Sequence, residues 1–248
     1  IIEHMNRRQI TMCGWVCAVL CLGSGGAQAA RVPDLYSAEV SVERTGSGGL
    51  TGAFNQALRE VLIKVTGRRD VIDDPVITGR FSPADTYVQQ YRTDADGTTW
   101  VQFDRVALRR VLDEIGQPVW GDERPVTLVW LIMDYGTGSR DILAAASDIG
   151  IAPDRFEAPA AAGITDRLAA ARDRLRQTAA ERGLPLVLPL VDSQELDIVS
   201  ISDVWGGFTE SVVLASQRYG ADAILVGRAR ARVPESVTVR WTLLLDDE

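Results

Sequence analysis

The chain has 248 residues, 46% hydrophobic and 24% charged, with a formal net charge of −8. That is a globular composition with enough apolar residue for one large core or two smaller ones. The acidic balance excludes a protein that neutralises nucleic-acid phosphates with clustered Lys and Arg.

Residues 1–29 carry the pattern of a secretory signal. Met5-Asn6-Arg7-Arg8 is a start followed by a basic pair. Ile10 to Leu22 is mostly apolar but shorter than a spanning helix of about 20 residues. Ala27-Gln28-Ala29 fits the small-x-small rule, so cleavage is expected before Ala30 and the protein is expected in the periplasm. The competing reading is a lipoprotein acylated at Cys21, against which Leu20 is bulky where that signal takes a small residue. The only His (His4) and all three Cys (Cys13, Cys17, Cys21) lie in this leader. Its removal excludes a His-dependent triad, a Cys nucleophile, a disulfide and a zinc site of N/S ligands.

Asp34 to Glu43 alternates with period 2, which predicts a strand. Arg44 to Gly52 is Gly-rich and predicts a surface loop. Ala53 to Val65 predicts an amphipathic helix, with Phe54, Ala57, Leu58, Val61, Leu62 and Val65 on one face and Thr66-Gly67 as its stop. Lys64 on this helix is expected on its solvated face. Asp73-Asp74-Pro75 predicts the cap of a short helix. Thr86–Thr93 and Thr98–Asp104 flank Asp94-Ala95-Asp96-Gly97 as a hairpin. Asp104 then caps a helix to Ile115, with Val106, Leu108, Val111, Leu112 and Ile115 inward and Gly116 after it. Residues 30–117 are thus expected to form an α+β unit, β-α-α-β-β-α.

The Pro-bracketed segment 118–125 is the expected linker, and 126–248 a second, α/β unit of order β-α-β-α-β-β with a mixed sheet. Val126 to Met133 is continuously apolar and predicts a strand covered on both faces. Residues 136–163 lack periodicity, with a short helix expected at their start. Thr165 to Arg182 predicts a helix. Leu184 to Val191 predicts a buried strand, demoted toward an edge or bulge by its prolines. Phe208 to Tyr219 predicts a helix, and Ala223 to Val226 a third buried strand. Val237 to Leu245 predicts a fourth strand, antiparallel to the third. Trp130 and Leu225 are expected to be buried in this sheet. Val237, Val239, Trp241, Leu243 and Leu245 share one face of the last strand and need cover. None follows before Glu248, so the chain reads as C-terminally truncated.

The remaining chemistry is thin. Gly136-Thr137-Gly138-Ser139-Arg140-Asp141 lacks the third glycine of a dinucleotide loop and reads as a turn. Carboxylate groups occur at Asp73/Asp74, Asp122/Glu123 and Asp192/Glu195/Asp197, and read first as caps and solvated turns. No catalytic, cofactor-binding or metal-ligating residue is singled out, and no cofactor is expected. Val119-Trp120-Gly121 and Val204-Trp205-Gly206-Gly207-Phe208 echo each other. Trp120, Trp205 and Phe208 are either core plugs or a protein-binding patch.

Several runs together resemble a known family. They are Ala57-Leu58-Arg59-Glu60-Val61-Leu62-Ile63-Lys64-Val65-Thr66-Gly67-Arg68, Tyr87-Val88-Gln89-Gln90-Tyr91, Pro118-Val119-Trp120-Gly121, Val204-Trp205-Gly206-Gly207-Phe208, and Arg218-Tyr219-Gly220-Ala221-Asp222-Ala223-Ile224-Leu225-Val226-Gly227. They resemble the domain-of-unknown-function 2066 family of secreted proteobacterial proteins, whose members continue past the final strand and have no established activity. More weakly, the first unit resembles flagellar outer-membrane-ring assembly domains and the second resembles Tol-type envelope domains. The resulting expectation is a non-catalytic interaction or assembly module. Its partner is expected to be another envelope protein, with no nucleic acid bound and no membrane span after cleavage. The alternatives are a carboxylate-dependent hydrolase of an envelope glycan and a small-ligand binder in an inter-domain cleft.

Overall fold

The computed structural model describes residues 30–41, 48–136, 138–145, 159–232 and 236–245. The expected signal segment 1–29 and the first part of the Gly-rich stretch, residues 44–47, lie outside the described residues. The class is mixed α/β, with three sheets among the described residues, the largest combining parallel and antiparallel pairs.

The first sheet core is built as its periodicity demands. Strand β2 (Ser37–Ser41) pairs antiparallel with β4 (Thr98–Phe103), which pairs with β3 (Val88–Thr93) through the expected Asp94–Gly97 turn. Helix α1 (Gly49–Thr66) crosses this sheet and buries Phe54, Ala57, Leu58, Val61, Leu62 and Val65. It begins inside the Gly-rich stretch expected to be loop. Gly67, at φ 71°, ends it and donates its N–H to the Ile63 carbonyl. Helix α2 (Pro75–Arg80) starts at the expected cap, where Asp74 accepts from the N–H groups of Val76 and Ile77. Asp104 caps α3 (Arg105–Glu114) in the same way. Leu108 and Leu112 are buried on α3, but Val106, expected inward, is 76% exposed, because two residues turn a helix by about 200° and set Val106 opposite Leu108. Lys64 is half-buried instead of solvated. It donates to the Ser37 carbonyl at 2.9 Å, and burial holds its pKa below the ordinary lysine value.

The second sheet has the order β10 (Ser236–Leu245), β9 (Ala223–Arg232), β6 (Thr127–Asp134), β7 (Arg140–Ile142), with β8 (Leu186–Val187) also paired to β6. Strand β6 runs parallel to β9 and β8, and antiparallel to β7. Strand β10 pairs antiparallel with β9 over its full length. Helix α4 (Pro159–Glu181) packs Leu168, Ala171 and Leu175 against Val129, Leu131 and Ala229. Short helices α5 (Ser193–Leu196), α6 (Ile201–Gly206) and α7 (Thr209–Ser216) lie on the opposite face; α6 and α7 pack Val204 and Val212 against Leu128, Trp130 and Ile132. Trp130 is fully buried and donates its indole N–H to Ser216 Oγ at 2.9 Å.

Several expectations need correction here. The segment after Gly136 folds into β7 and not a short helix. The Leu184–Val191 strand shrinks to two residues, since Pro185 and Pro189 cannot donate to a ladder. Strand β9 does not stop at Val226 but continues through Gly227–Arg232. Leu225 is half-buried, at the margin of the α4 contact.

Segment 118–125 is packed against both cores. Glu123–Arg124 forms strand β5, paired with β1 (Ala30–Arg31). Arg124 is completely buried and spends all five of its N–H donors on backbone carbonyls. Nη1 donates to Arg182 (2.7 Å) and Gly183 (2.9 Å), Nη2 to Lys64 (2.7 Å) and Trp120 (3.3 Å), and Nε to Gly121 (3.0 Å). Those of Lys64, Arg182 and Gly183 are end-of-helix carbonyls of α1 and α4, so one guanidinium caps the negative ends of two helices.

Candidate docking surface

At the carboxyl end of β6, Asp134 is a buried acid among arginines. Its carboxylate accepts from the Gly136 N–H (2.9 Å) and from Arg140 Nε (3.4 Å), and lies 3.7 Å from Arg230 Nε. The register explains the convergence, because Arg140 and Arg230 stand opposite Asp134 on the two neighbouring strands and share its face. The Gly136 N–H first, and then the arginines, hold the Asp134 carboxyl below the usual carboxylate range. Arg228 and Arg240 face each other across β9 and β10 on the same side of the sheet.

Trp205 is brought to this face by the α6–α7 corner. Ser200 and Asp203 form a capping box at the start of α6, and Gly207, at φ 82°, ends it. The Asp203 carbonyl then accepts the N–H groups of Gly207 and Phe208, both at 2.9 Å, which fixes the bend. Arg140 stacks on the Trp205 ring 4.3 Å from its centroid, and Arg230 lies 5.3 Å from it. Its carbonyl accepts from Arg228 Nη1 at 3.2 Å. One edge of the indole packs on the sheet core. Phe208 folds its ring over Gly206 and is 64% exposed. A stacked Trp, an exposed Phe and four arginines therefore share one surface of an acidic protein. The parallel strands β6 and β9 place it outside their carboxyl ends, where open α/β sheets present their binding groups.

Trp120 is placed elsewhere. Its N–H donates to the Val65 carbonyl at 2.8 Å, its ring packs beside Gly67, and Arg124 stacks 4.4 Å above it. It stands before the start of β6, whereas Trp205 stands past its end, an eight-residue strand or roughly 25 Å away. The sequence echo thus joins Trp205 to Phe208 but not to Trp120. Sequence reasoning missed the arginines. Arg228-Ala229-Arg230-Ala231-Arg232 alternates with period 2, a strand signal once side-chain size is weighed beside hydropathy.

The three carboxylate groups are used structurally. Asp74 caps α2. Asp122 pairs with Arg105 at 2.7 Å and Arg31 at 3.9 Å, while Glu123 is exposed on β5. Asp192 caps α5 and bonds Arg218, which lowers its pKa, and Asp197 is exposed at the end of that helix. Glu195 is buried. It accepts the Val191 N–H at 2.6 Å and the Tyr219 hydroxyl, whose pKa burial and this bond push up to about 12. A cleft of about 270 Å³ beside segment 118–125 is lined by Tyr36, Gln89, Gln102, Arg105 and Asp122, among others. Arg105 there pairs with Asp122 and lies 5.4 Å from the Tyr36 centroid. Among the described residues no three potential metal ligands of the His, Cys, Asp or Glu type converge, and no helix is long and apolar enough to cross a membrane.

A family model described as a domain of unknown function (DUF8605) matches residues 29–121. This overturns the assignment to the domain-of-unknown-function 2066 family. The runs behind that resemblance report general demands, an amphipathic helix ending at Thr-Gly and an aromatic-rich hairpin, that different families meet alike. The runs at Val204–Phe208 and Arg218–Gly227 lie outside the matched stretch. No curated protein and no solved structure matches the chain.

Proposed function

We propose that the protein is a non-catalytic interaction module of the cell envelope, docking an acidic partner protein on the Trp205–Phe208 surface. The observation that carries this reading is the Trp205 ring contacted by both Arg140 and Arg230 beside an exposed Phe208. Trp and Arg are the side chains that dominate interface energies. Stacking also pre-organises both guanidiniums, so little side-chain entropy is lost when a carboxylate binds them. The surface is cationic on a chain of net charge −8, which favours an acidic face opposite and a salt-sensitive association. The basic pair, the short apolar stretch and Ala27-Gln28-Ala29 support an envelope location.

The test is photo-crosslinking in a Gram-negative host from an aromatic crosslinker at position 208, with the same group at Asp173 on α4 as control. An adduct specific to position 208, lost on Arg140→Glu/Arg230→Glu and weakened by salt, supports the reading. An adduct indifferent to charge reversal, or shared with position 173, overturns it. Mass spectrometry of the same protein should give Ala30 as the N-terminus; an intact or Cys21-acylated end removes the envelope argument.

A further inference from the structure

Strand β10 is the edge of the second sheet among the described residues, and it is ten residues long. Val237, Val239, Trp241, Leu243 and Leu245 point to one side of it, and all five are between 38% and 61% exposed. Helix α4 covers the same side of β6 and β9 but leaves β10 bare. No charged residue interrupts this stripe. Five such side chains leave on the order of 500 Å² of apolar surface, near the upper end for the largest patch on a monomer. Every second residue of an edge strand also turns its N–H and C=O outward, unpaired.

We infer that β10 pairs antiparallel with β10 of a second copy of this chain, about a two-fold axis through Trp241. A two-fold axis perpendicular to a sheet sets one residue opposite itself, so the possible registers are few. Centring on Arg240 would oppose two guanidiniums, which is destabilising. Centring on Trp241 pairs Val237 with Leu245, Val239 with Leu243 and Trp241 with its own copy, so every apolar side chain of the stripe meets another. On the reverse face Arg240 then meets Thr242, and Thr238 meets Leu244. Centring on Thr242 leaves Val237 without a partner. Trp241 is already seated, its ring lying over Gly227 against Leu131, so the central anchor is ordered before association. With the edge backbone included, each copy would bury on the order of 500 Å², near the roughly 1,000 Å² in total that a specific interface needs. The stripe lies on the opposite face of the sheet from the Trp205–Phe208 group, to which β10 contributes only Arg240, and the two readings are tested separately.

Sedimentation equilibrium of the full chain tests it. The expected mass is twice that of the 27.0 kDa chain at micromolar concentration. Leu243→Glu, 56% exposed and outside the core, should weaken association by tenfold or more, about 1.4 kcal/mol, with an unchanged circular dichroism spectrum of the folded protein. Register is read by disulfide trapping in a Cys13→Ser/Cys17→Ser/Cys21→Ser background. Val239→Cys mixed with Leu243→Cys should crosslink, and neither should crosslink alone. A monomer at micromolar concentration, a dimer indifferent to Leu243→Glu, or crosslinking of each single variant with itself overturns the proposal.

Discussion

Arg124 is where single-residue chemistry has its largest structural effect. Its five donors satisfy carbonyls that belong to two helix ends and its own turn. Arg124→Met keeps the volume but strands those carbonyls in a buried site, where each bond to a charged donor is worth about 1.5–3 kcal/mol. The variant should lose about 3–5 kcal/mol in urea unfolding. Arg124→Lys should lose nearly as much, since one ammonium has three donors and no planar fork. A second residue-scale test concerns Asp134, whose pKa is depressed in the fold. A depressed carboxyl contributes stability above its unfolded pKa of about 3.9, and loses it as pH falls through the folded value. The gap between the wild type and Asp134→Asn should therefore be full at neutral pH and close below about pH 4. Unfolding midpoints at stepped pH measure it; a gap constant down to acid would show that the carboxylate charge contributes nothing.

At the scale of elements, local chemistry decides what is legible. The caps at Asp74 and Asp104, the stop at Gly67 and the Asp94–Gly97 turn act within a few residues, and the sequence announces each of them. Strand β9 is different. Its outer half alternates Gly227, Ala229 and Ala231 with arginines, and hydropathy alone ends the strand at Val226. What extends it is pairing on both sides, with β6 and β10, information held tens of residues away. The α5 and α6 turns were equally hidden, each too short for a period to show. The α6 capping box is what aims Trp205. Ser200→Ala should cost about 0.5–2 kcal/mol. It should also loosen the Trp205–arginine contacts, read as a change in tryptophan fluorescence with the global fold retained by circular dichroism. An unchanged emission spectrum would show that the two arginines alone hold the ring.

For the whole molecule, the first sheet core is mostly readable because its helix faces and hairpin are nearly contiguous in sequence. The candidate surface is only half readable. Trp205 and Phe208 stand out as a motif, while Asp134, Arg140 and Arg230 come from three strands and meet only through register. The junction between the cores is the least readable part, since a Pro-bracketed segment has the composition of a linker whether or not it is packed. Arg124 and the Arg69–Glu181 ion pair tie one core to the other. The wild type should accordingly unfold in one transition by both circular dichroism and tryptophan fluorescence, and Arg124→Met in two. Two transitions in the wild type would show that the cores fold as independent units.

The double cap also has a place in time. Lys64 lies 60 positions before Arg124, and Arg182 and Gly183 lie 58 and 59 after it, so the local carbonyls of Trp120 and Gly121 satisfy only two of its five donors. Loop closure over such separations is deferred until both cores have condensed, and contacts made late are absent from the rate-limiting barrier. The cap should therefore act as a latch on the finished protein. Loss of Arg124 should leave the refolding rate almost unchanged and appear nearly whole as faster unfolding, the signature of a residue that governs lifetime instead of assembly.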